Sequence, residues 1–439
     1  MTSLRTFVAS ARAELPQETF ARWASLFFTL SVLTIVVSLS ASQSMLAAAT
    51  LCYLLHLFRH RDTPQFPPIK LPLALFCLGT AVSLLGAADP GLGWYAVRKL
   101  VLFLILLLGA NLVVSGKHLD FLFRGLFVAS ALAAVVATGQ FIAQYRAALV
   151  LHPQHLYVAL TSNRITGFMG HWMNFGGQQM LIYAALLAYL MQVSSLRDAA
   201  PGTASAPGRP ARKLLWWLVW AMVVVSIVLN FTRGVWVGCF VATLYLVGRW
   251  KPRWLWLIPA LIVVGYFAAP SLVRQRIAAV RHPESDPSLS IRFEMWQVAG
   301  RMIRKHPWLG VGPGNIEREY VLYLPPGKVP EIGYHSHLHN DFLQLGAERG
   351  LPVLAAWVWM MGALGWHFWR LRGKLQRERW VAEGALAGWL AYLAEGCFEF
   401  NFGTSPVLML FLWVAVAPFA AERAEPRSGD EQGSADLRR

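Results

Sequence analysis

The chain has 439 residues, of which 56% are hydrophobic and only 14% are charged. A soluble protein carries about a quarter charged residues, so this composition excludes an ordinary soluble domain and indicates a polytopic membrane protein. The net charge of +16 falls mostly in short loops. No interleaved basic and aromatic module accompanies it, so we expect no nucleic-acid partner.

Apolar segments fill most of the chain and predict an all-α fold with about twelve transmembrane helices. Most segments are about 17 to 25 residues long, which is enough for a helix to cross the hydrocarbon core. The first 22 residues are polar and mixed, so we expect an anchored first helix and no cleavable signal. We place the helices near 23–40, 43–58, 71–87, 98–115, 119–145, 173–194, 214–231, 233–249, 253–269, 351–370, 380–398 and 404–421.

Lysine and arginine are concentrated in alternate connections, after the second, sixth, eighth and tenth helices. Such loops remain in the cytoplasm, and an even number of helices places both termini there too. The predicted organisation is a cytoplasmic segment 1–22, helices one to nine in 23–269, an outer loop 270–350, helices ten to twelve in 351–421 and a disordered cytoplasmic tail 422–439. The shorter loop 146–172 also lies outside.

The outer loop contains a histidine cluster, His335, His337 and His339, followed directly by Asn340 and Asp341. Asn340 or Asp341 can cap a short helix, which places His339 at a helix N-terminus, where a neutral imidazole and a bound anion are favoured. Three roles are open. The three histidines can hold a zinc ion with Asp341 nearby, they can be structural, or one of them is a general base. We favour the general base.

A glycine string, Gly310, Gly312 and Gly314, precedes the histidine cluster. Glycine tolerates tight turns and close approach of the backbone to a ligand. The string therefore predicts either a tight, exposed turn whose N–H groups approach a phosphate or a loop that crosses over the helix ends. The four cysteines lie singly in apolar runs, so we expect them to be packing residues.

Three arginines come from separate outer segments. Arg233 lies at a break between two apolar helices, Arg164 lies in the shorter outer loop, and Arg292 lies in the long one. The planar guanidinium donates two parallel hydrogen bonds and suits phosphate, so we expect a lipid-linked diphosphate as ligand. The alternative for each arginine is an extended side chain at the lipid headgroups or a pair with a loop carboxylate.

The chain resembles the O-antigen ligase and polymerase superfamily of bacterial inner-membrane enzymes. The resemblance covers short motifs in about half of the chain and the hydropathy profile of nearly all of it. Its residues are the run His339-Asn340-Asp341-Phe342-Leu343-Gln344 with Glu348 and Gly350, then Arg292, Trp296, Pro307, Gly310, Gly312 and Gly314, the run Thr232-Arg233-Gly234, and Arg164 with Gly167.

The resemblance implies a glycosyltransferase that needs no metal and no cofactor. It would transfer O-antigen from undecaprenyl diphosphate to a hydroxyl of lipid A-core on the periplasmic face, with inversion. His339 would be the base, with His337 as the next candidate, and membrane lipids would surround both substrates. The residues implied for binding the diphosphate or substrate are Arg233, Arg292, Arg164, Asn340 and Asp341.

Two other functions remain open. A polymerase or a protein O-oligosaccharyltransferase of the same superfamily would use the same donor with another acceptor. The His-x-His-x-His-Asn-Asp pattern favours a ligase among these. A protein of another class, a non-enzymatic transporter of lipid-linked glycans, would use the outer arginines only for docking. Transporters often contain internal repeats and polar residues near the bilayer midplane, and neither pattern is evident in the sequence.

Overall fold

The computed structural model describes residue 16 and residues 18–151, 153–198, 209–278, 287–328 and 336–425. Within these ranges the regular elements are α-helices and short 3₁₀-helices, and no β-strand occurs among the described residues. The prediction of an all-helical fold is confirmed for this part of the chain. His335, residues 1–15 and the predicted disordered tail beyond residue 425 lie outside the described residues.

Eight α-helices form the N-terminal half of the described chain. They are α1 Thr19–Thr34, α2 Leu39–His60, α3 Lys70–Val82, α4 Pro90–Arg98, α5 Leu104–Leu112, α6 Gly116–Leu151, α7 Leu156–Ser162 and α8 Trp172–Asp198. The segment predicted at 98–115 as one helix consists of the end of α4, a 3₁₀ segment Lys99–Phe103 and α5.

Ten α-helices follow in the C-terminal half. They are α9 Arg209–Leu229, α10 Arg233–Trp250, α11 Ile258–Ala268, α12 Ser271–Ala278, α13 Pro287–Lys305, α14 Ile316–Glu319, α15 Asp341–Arg349, α16 Leu351–Lys374, α17 Arg379–Gly396 and α18 Ser405–Ala424. Each apolar segment picked out in the sequence overlaps at least one of the helices.

Five helical stretches of the described chain are long and apolar enough to cross a membrane, namely Leu39–His60, Pro90–Leu112, Gly116–Leu151, Leu351–Lys374 and Ser405–Ala424. A sixth results if Pro252–Ala268 and Ser271–Ala278, which meet at a bend of 119°, form one span. By length and composition the chain is therefore a helical membrane protein. The count of twelve crossings stays a prediction.

The C-terminal helix α18 lies at the centre of the bundle. It is apolar on all sides and 94% of its most hydrophobic window is buried, the pattern of a helix enclosed by other helices. Trp413 on α18 is fully buried and packs against the rings of Phe28 and Phe123 from α1 and α6. This packing holds α18 in the bundle. The polar residues Glu399 and Asn401 directly precede the start of α18.

The connections separate into two groups at opposite ends of the bundle. At one end, the Asn111 side chain bonds the backbone of Gln65 at 2.7 and 2.9 Å, and Lys374 pairs with Glu422 at 2.9 Å. At the other end, His339 contacts Glu399 at 2.7 Å. These contacts separate the end that contains Gln65 and Lys374 from the end that contains His339. The side of the membrane on which each loop lies stays a prediction.

Gly310 and Gly312 of the glycine string are buried and only Gly314 is exposed, so the predicted exposed turn is wrong for most of the string. The N–H groups of Val311 and Gly312 donate to the carbonyls of Ala347 and Glu348 at 2.8 and 2.9 Å. A Cβ atom on Gly312 would lie 2.5 Å from the Cα of Ala87. These N–H groups are used within the fold and are not available to a phosphate. The alternative, a loop crossing over helix ends, describes this segment.

Candidate functional site

His339 has a left-handed backbone conformation, with φ of +46°. A residue with a Cβ atom adopts this conformation at a cost of roughly 1–2 kcal/mol, and such strain is concentrated at functional sites. Its neighbours hold it there. Leu338 donates its N–H to the Gln344 side chain at 2.7 Å, and Asn340 donates to the carbonyl of Cys397 at 2.9 Å. The flanking bonds therefore fix the position of the imidazole.

The short helix after His339 forms as the sequence predicts. The Asn340 side chain accepts a hydrogen bond from the N–H of Leu343 at 2.9 Å and caps α15. Gly350 ends the helix with φ of +83°. The predicted location of His339 at the N-terminus of a short helix is confirmed.

His339 forms a pair with Glu399, which follows the end of α17. The Nδ1 atom of His339 lies 2.7 Å from Oε2 of Glu399, whose side chain is only 2% exposed. Against an ionised carboxylate, Nδ1 carries the proton, and the neutral tautomer then has its lone pair on Nε2. The pair therefore orients the imidazole and leaves Nε2 able to accept a proton.

Arg292 contacts the other oxygen of the same carboxylate, with Nη2 2.5 Å from Oε1 of Glu399. Burial alone would raise the pKa of Glu399, but the charge of Arg292 and the hydrogen bond from His339 lower this pKa to about 2. Glu399 is therefore ionised at neutral pH. The buried Nε of Arg292 has no hydrogen-bond partner among the described residues, so the guanidinium keeps a donor for a ligand.

His337 lies beside His339, with ring centroids 4.3 Å apart. Burial, and then the positive charge that His339 can carry, lower the pKa of His337 to about 4. His337 is therefore neutral near pH 7 and remains the second candidate for the base. His335 lies outside the described residues, so the zinc alternative for the cluster stays a prediction.

Asn340 and Asp341 both make contacts within the protein. Asn340 caps α15, and Oδ1 of the buried Asp341 accepts a hydrogen bond from the N–H of Phe402 at 3.1 Å. Burial raises the pKa of Asp341 well above its usual range, although the hydrogen bond from Phe402 opposes this. The predicted substrate-binding role of the two residues stays a prediction. Their contacts position His339 against the α17–α18 connection.

Arg164 approaches the start of α10 from the shorter outer loop. Its Nη1 lies 3.5 Å from Oγ1 of Thr232, and its guanidinium lies 5.1 Å from the ring centroid of Trp172. Burial, and next the charge of Arg276, lower the pKa of Arg164 to about 10, with smaller effects from the charges of Glu399, Arg292 and Arg233. Arg164 is still protonated at neutral pH, and the three predicted arginines share one region with Glu399.

Arg233 is the first residue of α10 and is half-buried. The next residue, Gly234, packs closely against α17, since an added Cβ atom would lie 3.4 Å from Cγ of both Glu395 and Glu399. This close packing brings the N-terminus of α10 to the carboxylate that His339 and Arg292 share. The structure therefore brings together all three arginines picked out in the sequence.

Arg276 is a fourth arginine of the site that the sequence did not single out. It is 6% exposed, and it donates to the carbonyl of Phe231 at 3.2 Å and to the hydroxyl of Tyr157 at 3.3 Å. Phe231 has φ of +54°, so a second strained residue lies at this end of the bundle. In the sequence Arg276 is one of several arginines in the outer loop, and no local pattern marks it as buried.

Glu399 and His171 were also missed. Glu399 lies just after an apolar helix, and a charged residue at the membrane boundary usually has a partner or a function. The position of Glu399 in the sequence could therefore have identified it as a candidate. His171 stacks on Trp172 with centroids 3.9 Å apart, and burial lowers its pKa. Its Nδ1 accepts a hydrogen bond from the N–H of Met173 at 3.2 Å. A single histidine in a loop gives no such indication in the sequence.

These features define a class: helical membrane proteins with a histidine–carboxylate pair beside clustered arginines at one end of the bundle. Residues 217–358 match the family model described as O-antigen ligase. The match confirms the resemblance to the O-antigen ligase superfamily, whose members are glycosyltransferase-like enzymes. It includes Arg233, Arg292, His337 and His339. No curated protein matches the chain.

Proposed function

We propose that the chain is an O-antigen ligase of the bacterial inner membrane. It transfers O-antigen polysaccharide from undecaprenyl diphosphate to a sugar hydroxyl of lipid A-core at the periplasmic face, without a metal and with inversion. The observation that carries the proposal is the network in which Glu399 bonds His339 at 2.7 Å and Arg292 at 2.5 Å. The O-antigen ligase match includes both partners of Glu399.

In the proposed reaction His339 is the general base. The acceptor hydroxyl gives its proton to Nε2 of His339, and its oxygen attacks the anomeric carbon of the glycan. The bond from that carbon to the diphosphate breaks, and undecaprenyl diphosphate leaves with the electron pair. Because Nδ1 of His339 donates to Glu399, the carboxylate stabilises the imidazolium as it forms.

The arginines stabilise the leaving group in this mechanism. Negative charge develops on the diphosphate as its bond to the sugar breaks, and preorganised cations aimed at developing charge usually provide the largest catalytic effect. Arg233 and Arg292 hold the diphosphate, and Arg164 joins them or binds the acceptor. The buried Nε of Arg292 is a donor that this role would use.

The proposed topology has twelve crossings, with both termini and the basic connections in the cytoplasm. Segment 270–350 forms the periplasmic catalytic loop between helical regions 23–269 and 351–421. The separation of the connections into two ends of the bundle, described above, supports this arrangement. Both substrates are membrane lipids with polar headgroups, which suits a site at one end of the bundle.

The test uses purified protein in detergent with lipid-linked O-antigen as donor and lipid A-core as acceptor. We expect transfer by the wild type, and His339→Ala should reduce the rate by about 10²–10⁴-fold, the usual contribution of a general base. Transfer at the wild-type rate in His339→Ala would contradict the proposal. Loss of transfer after chelation would instead support a metal mechanism.

The choice of acceptor separates the related functions. The ligase transfers glycan to lipid A-core, a polymerase extends a second lipid-linked glycan, and a protein O-oligosaccharyltransferase modifies a polypeptide. Each acceptor is offered alone with the same donor. Donor binding without transfer to any of the three would indicate the transporter.

A further inference from the structure

A second group of titratable side chains lies at the opposite end of the bundle from His339. His56 and His60 are four residues apart near the end of α2, a spacing that places two side chains on one helix face. Their ring centroids are 4.9 Å apart. Glu18, at the start of α1, faces both imidazoles from the neighbouring helix. None of these residues takes part in the proposed transfer reaction.

The distances within this group fit a metal ion. Glu18 Oε2 lies 3.1 Å from His56 Nδ1, and Glu18 Oε1 lies 3.7 Å from His60 Nε2. One possible ligand atom from each of the three residues lies within 4.8 Å of the other two. In a tetrahedral zinc site with bonds of about 2.0 Å, neighbouring ligand atoms are about 3.3 Å apart. Small side-chain rotations would therefore close the group around an ion.

The surroundings of His56 also match a metal site. When Nδ1 of a histidine binds a metal, the other ring nitrogen usually donates to a carboxylate or a carbonyl, which orients the ring. Nε2 of His56 lies 3.3 Å from Oδ2 of Asp62. Asp62 therefore lies where a carboxylate outside the metal-ligand set could bond Nε2 of His56. This bond would keep Nδ1 directed toward Glu18.

We propose that Glu18, His56 and His60 bind one divalent transition-metal ion, with Zn²⁺ as the best fit. Two imidazoles and one carboxylate favour zinc over magnesium or calcium, which prefer oxygen ligands alone. Three protein ligands leave the fourth tetrahedral position to water. The His60 side chain is 41% exposed, which gives the ion a path from solvent.

Glu18 has a second role that is compatible with this site. Its Oε2 accepts a hydrogen bond from the N–H of Ala21 and caps α1, while Oε1 lies 3.7 Å from Nε2 of His60. That backbone hydrogen bond is the main cause that lowers the pKa of Glu18 to about 2. The carboxylate is thus charged at neutral pH. A bound ion would join the start of α1 to the end of α2.

The competing explanation of the geometry is a hydrogen-bonded cluster without a metal, because the ring nitrogens of His56 lie 3.1 Å from Glu18 and 3.3 Å from Asp62. Because metal binding displaces protons from imidazoles, zinc affinity should fall as the pH is lowered from 7.5 to 5.5.

The test measures zinc binding to the full chain without a histidine tag, stripped with a chelator and held in detergent. Titration calorimetry should show one Zn²⁺ per chain, and Co²⁺ should give the visible absorption of a tetrahedral site. We expect His60→Gln and Glu18→Gln each to weaken zinc binding by at least about tenfold, and Asp62→Asn by about 10–100-fold, the usual effect of outer carboxylates.

The matched control is His337→Gln, which removes a histidine from the cluster at the other end of the bundle and should leave zinc binding unchanged. Absence of zinc binding in the wild type would overturn the proposal, and so would unchanged binding in His60→Gln. Loss of binding in His337→Gln would do the same and would place the ion at the histidine cluster. Since His60 is partly exposed, we expect its variant to elute from gel filtration like the wild type.

Discussion

The candidate site contains two regions that differ in how their charges are balanced. Around Glu399, one buried carboxylate faces Arg292 and His339 at 2.5 and 2.7 Å. Around Arg164 and Arg276, the hydrogen-bond acceptors are hydroxyls and carbonyls, and neither arginine pairs with a carboxylate within the described residues. One region is balanced internally, whereas the other has an excess of positive charge.

This difference indicates a division of roles. A charged carboxylate that accepts a hydrogen bond from Nδ1 holds an imidazole in one orientation. Buried guanidinium groups with only neutral acceptors attract an anion, because a fully desolvated charge is costly without an opposite charge nearby. We therefore propose that Glu399 and His339 carry the proton transfer, and that the surrounding arginines attract the diphosphate, with Arg292, which contacts Glu399, taking part in both regions.

The largest effect is expected in the balanced region. Glu399→Gln keeps the size of the side chain but removes the charge that orients His339, so transfer should fall by up to about 10⁴-fold, as in other histidine–carboxylate pairs. The loss should appear mainly in kcat. Steady-state kinetics at pH 7 measure kcat and KM separately.

The control for this variant is Glu317→Gln, since Glu317 is an exposed glutamate on α14. It should transfer glycan at the wild-type rate. If Glu399→Gln raises KM without lowering kcat, Glu399 does not act through His339. A wild-type rate in Glu399→Gln would remove it from the mechanism.

The sequence was sufficient for the apolar helical segments and for three of the four arginines of the site. Helix positions follow from the length of apolar runs, which depends on local composition. Arg164, Arg233 and Arg292 could be proposed as neighbours because loop charge fixes which segments share an end of the bundle. The His339 position at the start of a helix follows from Asn340 and Gly350, which act within a few residues.

The balanced region could not be predicted from the sequence in the same way. Glu399 pairs with His339 across 60 residues and with Arg292 across 107 residues, and no local pattern encodes such contacts. The glycine string was misread for a related reason. Gly312 is required by the close approach of Ala87, a contact between distant segments, and not by a ligand.

A smaller effect is expected from the region with excess positive charge. Arg276→Gln removes a buried charge, and a charge-assisted hydrogen bond contributes about 1.5–3 kcal/mol, so kcat/KM for the donor should fall by roughly 10–100-fold. Arg276→Lys should recover part of this loss because it keeps the charge.

The matched control is Arg274→Gln, since Arg274 is an exposed arginine two residues away on α12. This variant should behave like the wild type. Equal kinetics in Arg276→Gln and Arg274→Gln would exclude Arg276 from the donor site.

The smallest effect is expected at His337, which lies beside His339 with ring centroids 4.3 Å apart. Its pKa of about 4 is below the ordinary value of about 6.5 for histidine, so folding favours the neutral form. This contribution to stability is complete above pH 6.5 and is lost as the pH falls through 4. In thermal unfolding from pH 7 to 4, the wild type should therefore lose stability relative to His337→Gln.

The transfer rate of His337→Gln at pH 7 should fall by less than about tenfold, because His339 is the base and the loss of a general base has a larger effect. A loss as large as that of His339→Ala would instead make His337 the base and would move proton transfer away from Glu399.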